Sequence, residues 1–376
     1  MTSLKWENVR AWRLQRQGLA GRVPAGRMLE LTGQICGLHA QVMSSAELTL
    51  WARVEGIFNG VASKALWEDR TLVKLWAMRG TLHLLPASEY WMWQAGLSTY
   101  DHYLKPSWFK YFGLTRDQFE LMVLAVGESL QDRVLNREEL GKVVADRTGV
   151  SELGEKLKQS WGAYLKPASF RGKLCFGPGT GQKVGFTSPE TWLGGREEVD
   201  PQEALAQITR RYLDSNGPST REEYGRWWAI SPAKALARIK KLGDEVAEVD
   251  VEGQRCWMLS AAVDEAAAAG PENRVNLVPA FDQYVIAATR QAQYLTSGPN
   301  KARIYRPQGW ISPVLLVDGR MDGIWSHEVK GRRLTVTVEP FVALPGWAKP
   351  GVDAEAQSLA GFLGCDQVEL SYKPAG

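Results

Sequence analysis

A chain of 376 residues is longer than one hydrophobic core organises, so two to four domains are expected. Its 44% hydrophobic and 23% charged residues exclude a disordered chain, and no run approaches the ~18 apolar residues of a membrane helix. The net charge of +3 is too small to announce a polyanionic partner, and four cysteines without paired spacing (Cys36, Cys175, Cys256, Cys365) point to neither a disulfide framework nor a zinc site.

Residues 1–112 predict helices over Trp6–Gln17, Gly26–His39 and Ser45–Val54, then strands around Leu72–Leu85. Lys5, Arg10, Arg13, Arg16, Arg22 and Arg27 stand against only Glu7 and Glu30 at the start of this range. That basic face reads either as a phosphate-binding surface or as a solvated helix surface. Ranges 113–199 and 200–270 repeat one another: Asn136-Arg137-Glu138-Glu139-Leu140-Gly141 and Thr220-Arg221-Glu222-Glu223-Tyr224-Gly225 share the pattern x-Arg-Glu-Glu-apolar-Gly. Each opens on a capping residue with acids in the first turn, the signature of a helix start.

Each repeat follows an amphipathic helix (Gln118–Leu130; Ala204–Leu213). Each precedes another helix (Glu152–Tyr164; Pro232–Leu242) and then a hairpin signal, Ser169–Phe176 and Glu245–Leu259. Helices followed by a two-stranded wing are the winged-helix recipe. Range 271–376 alternates apolar residues in Val275–Val278, Ile311–Val317, Gly323–Ser326 and Leu334–Val338, with a last strand in Phe362–Tyr372. The expected fold class is α+β: three tandem winged-helix units and a C-terminal antiparallel β-barrel or sandwich.

The first residues, Met1 to Trp6, lack an apolar signal core, so a cytoplasmic protein is expected, with no membrane partner. No metal-ligand cluster, Ser-His-Asp order or phosphate loop is present. Gly177-Pro178-Gly179-Thr180-Gly181 lacks the following Lys-Ser/Thr and reads as a wing tip, with Arg171, Lys173 and Lys183 near enough to meet a DNA backbone. No cofactor is expected. Sixteen tryptophans are unusually many; most suit a core, while aromatic residues among arginines also suit stacking on bases.

Three short blocks carry a resemblance: Gly37-Leu38-His39-Ala40-Gln41, Met78-Arg79-Gly80-Thr81-Leu82-His83 and Pro279-Ala280-Phe281-Asp282. With Arg16-Gln17-Gly18-Leu19 before them, and Tyr305-Arg306-Pro307, Val317-Asp318-Gly319-Arg320 and Gly323-Ile324-Trp325 after them, the chain resembles the AlkZ/YcaQ group of winged-helix DNA glycosylases over nearly its whole length. The resemblance implies a catalytic role for His39 and Gln41, with His39 standing where the group carries the first glutamine of Gln-x-Gln or Gln-x-Asp. By residue type alone a His-x-Gln at a helix end is ordinary polar filling.

The resemblance further implies a monofunctional glycosylase, monomeric and held on the nucleoid through DNA. Its partner would be double-stranded DNA carrying bulky N7-alkylated purines, cross-links among them, left by natural-product genotoxins, in repair or antibiotic self-resistance. Arg10, Arg13 and Arg79, with the wing cations, are the expected DNA contacts. His83 and Asp282 are supporting candidates; a core Arg–His network and a turn-capping aspartate are the alternatives. The rival functions are a non-catalytic winged-helix regulator and a drug-sequestering resistance protein.

Overall fold

Two capping boxes set the start of the repeated helices. Asn136 Oδ1 accepts from the N–H groups of Glu138 and Glu139, while Glu139 accepts from the Asn136 N–H at 2.8 Å, opening helix Arg137–Thr148. Thr220 and Glu223 make the same reciprocal pair at the head of Arg221–Trp228. The shared glycine has a packing reason. A Cβ at Gly141 would meet the Gly154 carbonyl oxygen at 2.8 Å, and one at Gly225 the Ile230 oxygen at 2.9 Å, so the next helix or turn lies directly on the backbone.

The structure is a computed structural model describing all residues except 1, 160–161, 182, 288–297 and 375–376. It is a mixed α+β protein in two compact units, one of Met1–Ala62 with Thr209–Gly376 and one of Ser63–Ile208.

In the first unit, strand Thr2–Leu4 pairs in parallel with Val246–Val251, which forms a hairpin with Gln254–Leu259. Glu252 (φ 48°) and Gly253 (φ 86°) turn that hairpin, both left-handed as a two-residue turn requires. Helix Trp6–Arg16 packs Trp6, Val9 and Trp12 with Val249, Cys256, Met258 and Ala266 of this sheet and of helix Val263–Ala268.

Part of the basic N-terminal face expected from the sequence is taken up inside the fold. Arg13 is 4% exposed and donates to the Pro218 carbonyl at 2.8 Å. Arg16 pairs with Asp214, Arg22 with Glu355 and Arg27 with Glu30. Within helix Trp6–Arg16, then, Arg13 is turned into the fold against a backbone carbonyl and Arg16 is ion-paired with Asp214.

The C-terminal strands Val275–Val278, Val314–Val317, Arg320–Lys330, Arg333–Pro340 and Gln367–Tyr372 form one five-stranded sheet in chain order. It is an open sheet and not a closed barrel, and its last pair, Arg333–Pro340 with Gln367–Tyr372, is parallel. A parallel pair needs a crossover, supplied by helix Ala348–Leu363, which packs Val352, Ala356 and Leu359 on the sheet. Pro350, Gly351 and Gly361 disguise that helix in the sequence. Leu14, Leu19, Leu48 and Trp51 enter the same core, binding the N-terminal segment to this sheet.

The second unit holds the hairpin Leu72–Trp76/Leu82–Pro86 and helices Tyr90–Leu97, Arg116–Ser129, Arg137–Thr148 and Ser151–Gln159. Residues 160–161, through which the sequence carries the last helix on to Tyr164, lie outside the described residues. Its wing-like hairpin is Cys175–Thr180 with Lys183–Thr187, a few residues later than the sequence suggests, and Gly181 (φ 62°) sits at its tip.

Candidate active site

Helix Met28–Gln34 ends in a Schellman turn: Gly37 N–H donates to the Thr32 oxygen at 2.8 Å and Cys36 N–H to the Gly33 oxygen at 3.0 Å. Cys36 (φ 62°) and Gly37 (φ 88°) are both left-handed, so the chain reverses and leaves as the short strand Leu38–His39. Leu38, His39 and Ala40 are buried, and His39 keeps only 5% of its surface. Gln41 is exposed, just before helix Met43–Trp51. The tripeptide thus joins a constrained imidazole to a solvent-facing amide.

Three consecutive residues from the far end of the chain hold this loop. The ring of Phe281 stacks on His39, centroids 4.9 Å apart and planes 14° from parallel. Gln283 Nε2 donates to the Gly37 carbonyl at 2.7 Å in the interior. Between them Asp282 receives two 2.7 Å hydrogen bonds from Arg53, which lies just beyond helix Met43–Trp51, and neither side chain of the pair has any exposed surface. Arg53 also donates to the Thr49 oxygen at 3.2 Å, tying Asp282 to the end of that helix. Phe281 adopts φ 58°, a strained value for a non-glycine residue, which puts its ring on His39 while Asp282 faces Arg53.

Asp282, a supporting candidate, therefore acts as a buried anchor; both its oxygens are engaged by Arg53, and Oδ1 also accepts from the Tyr284 N–H at 2.9 Å. Sequence reasoning singled out Asp282 and passed over Phe281, Gln283 and Arg53. Phe281 lies within the recognised block and Gln283 directly after it, the signal that could have flagged both, and nothing local marks Arg53.

The other candidates are distributed over both units. Arg10 is half-buried with its Cβ against Gly319. Arg79 (φ 59°) and Gly80 (φ 68°) form a left-handed turn at the head of the hairpin, where Arg79 N–H points to the Tyr100 hydroxyl at 3.4 Å. His83 is fully buried, with Nδ1 3.1 Å from the Thr81 carbonyl. Arg171 pairs with Glu120 and lies over the rings of Tyr103 and Phe119, and the hydrogen bond from Arg171 holds the Glu120 carboxyl below its ordinary range. Lys183 pairs with Glu138 at 2.9 Å in full solvent, and Lys173 is half-buried against Gly127. No helix among the described residues is long and apolar enough to cross a membrane.

The site geometry meets a family. The model described as DNA glycosylase AlkZ-like matches residues 32–362, a span that includes all three blocks. The chain belongs to the AlkZ-like DNA glycosylase family and is a DNA-repair enzyme that hydrolyses N-glycosyl bonds. It is 35% identical over 372 residues to an interstrand DNA cross-link repair glycosylase of Streptomyces sahachiroi, a match covering 97% of this chain and 98% of that relative. The solved structure of Streptomyces sahachiroi DNA glycosylase AlkZ is similar with a TM-score of 0.89 and 34% identity, covering 99% of this chain and 100% of the other.

Proposed function

We propose that this enzyme removes bulky N7-alkylated purines from double-stranded DNA, interstrand cross-links among them, with His39 and Gln41 as its catalytic pair. The observation that carries the reading is Gln41, exposed two residues beyond the clamped His39 in the tripeptide to which the family resemblance assigns the catalytic side chains. Alkylation at N7 makes the purine cationic, so it departs with the glycosidic electron pair as a neutral base and needs no general acid. The remaining task is to aim a water at C1′ of an oxocarbenium-like sugar. The Gln41 carbonyl accepts a hydrogen bond from that water and fixes its approach. His39 takes the proton the water loses, general-base help typically worth ~10²–10⁴-fold, or orients the water as the family's glutamine would.

Three helix-plus-wing units over 1–112, 113–199 and 200–270, followed by the terminal sheet over 271–376, serve as a monomeric duplex-DNA scaffold in this reading. Arg10, Arg79, Lys173 and Lys183 are its phosphate contacts. The Lys183–Glu138 pair is exposed, so its carboxylate exchanges for a phosphate at small cost. Arg13, inside the fold, and Arg171, held by Glu120 and two rings, stay with their intramolecular partners. Self-protection against a DNA-alkylating natural product is the physiological role this substrate class suits.

The test is base release from a duplex bearing one N7-alkylguanine, read as alkali-labile strand breaks. Breaks at the adduct are expected with the wild type and not with Gln41→Ala. Tight binding without breaks would instead make the protein a sequestering or regulatory one.

A further inference from the structure

Trp310 alone among the described tryptophans is exposed, with 43% of its surface free. A tight loop holds it out. Tyr305 and Ile311 bridge in antiparallel fashion, and Arg306 N–H donates to the Trp310 carbonyl at 2.9 Å. Gln308 (φ 60°) and Gly309 (φ 78°), both left-handed, reverse the chain between them. The stem is anchored: Ser312 N–H donates to the Ile304 oxygen at 2.9 Å, the Tyr305 hydroxyl to the Val285 oxygen at 2.9 Å, and Ile304 and Ile311 lie in the sheet core. An apolar ring held in water on a braced support costs stability that a surface-bound partner would recover.

The indole's neighbour identifies that partner's position. Trp310 meets Phe281 edge to face, centroids 4.9 Å apart at 74°, and Phe281 is the ring stacked on His39. The exposed indole is thus one aromatic ring away from the candidate catalytic imidazole. On the same loop Arg306 is exposed, and no carboxylate among the described residues pairs with it. A braced aromatic face beside an uncommitted guanidinium matches a base or planar substituent next to a phosphodiester.

We infer that the Tyr305–Ile311 loop reads the lesion, Trp310 stacking on the aromatic part of the modified purine's substituent and Arg306 meeting a flanking phosphate. This rests on the N7-alkylpurine reading above and adds to it a preference for adducts with planar aromatic substituents.

The experiment compares duplexes carrying N7-(naphthylmethyl)guanine and N7-methylguanine, both with a fixed positive charge. Binding is measured in a Gln41→Ala background, where base release does not interfere, and single-turnover release in the otherwise wild-type enzyme. Trp310→Ala should weaken binding of the naphthylmethyl duplex on the order of tenfold, with the methyl duplex within about twofold and Trp310→Phe retaining most of the affinity. Arg306→Ala should weaken both duplexes and reduce the slope of log affinity against log salt by about one. Equal effects of Trp310→Ala on the two duplexes, or none on either, overturn the inference, equal loss marking Trp310 as a prop for Phe281. Failure of the wild type to release either base is a separate result that removes the substrate reading itself.

Discussion

The imidazole of His39 lies flat on the ring of Phe281, 4.9 Å between centroids and 14° from parallel. The stack opposes turning of the imidazole about its Cβ–Cγ bond, so the direction of its ring nitrogens depends on a residue far away in the chain. Phe281→Leu keeps an apolar side chain but loses the flat face. Its single-turnover rate of base release should fall by roughly ten- to a hundredfold, the upper figure being the scale of a misplacement of about 1 Å, while affinity for adducted duplex stays within a few-fold. Unchanged rate in a folded Phe281→Leu protein would show that His39 needs no such support.

Arg53 and Asp282 make a second prediction about the same loop. Removing one partner of a fully buried ion pair leaves an uncompensated charge inside, at about 3–5 kcal/mol. Asp282→Ala and Arg53→Ala should therefore lower the urea midpoint by similar amounts and reduce excision in parallel. Arg53→Met with Asp282→Leu should destabilise by less than the two single losses added together. Loss of excision in Asp282→Asn with no change in unfolding would instead make Asp282 part of the chemistry.

The parts of this architecture written in local sequence were legible. Asn136 and Thr220 announced helix starts because a capping box lies within four residues, and Gly253 marked the turn of the hairpin read over Glu245–Leu259. Val275–Val278 was readable as a strand from its own pattern. The parallel return of Gln367–Tyr372 was not, because strand direction depends on a crossover helix whose proline and glycines read as turns. The partners of the N-terminal cations were hidden for a related reason. Sequence counts charges, but Arg13, Arg16 and Arg22 find Pro218, Asp214 and Glu355 about two or three hundred residues away. His39 and Gln41 were reached by resemblance, whereas the clamp of Phe281, Asp282 and Gln283 depends on a left-handed backbone at Phe281 that no residue type announces.

Glu120 gives an acid-side prediction. Its carboxyl is held below the ordinary range chiefly by the hydrogen bond from Arg171. The pair therefore contributes in full above the ordinary carboxylate pKa of about 4.3 and is lost as pH falls through the lower folded value. Glu120 is 45% exposed, so solvent screens the pair and its contribution should stay below about 1 kcal/mol. Glu120→Gln should lower stability slightly at pH 7, with the difference from wild type shrinking in acid. A difference that grows as pH falls contradicts the pairing.

In the proposed mechanism Gln41 aims the water and His39 accepts its proton or orients it, and substitutions separate the two parts. Gln41→Ala should abolish most base release while leaving affinity for adducted duplex within a few-fold, because an exposed amide that positions water carries little of the DNA interface. His39, if it accepts the water's proton, must be neutral, so single-turnover release from a fixed-charge N7-alkylguanine should fall as pH is lowered into the range where imidazoles protonate. His39→Gln restores the family's amide and should flatten that profile while keeping substantial activity. His39→Ala should lose more than His39→Gln, since it removes the proton acceptor and also the ring that Phe281 holds in place. A flat wild-type profile from about pH 5.5 to 8.5 with low activity in His39→Ala would assign His39 to orientation alone. A flat profile with full activity in His39→Ala would leave Gln41 to act without it.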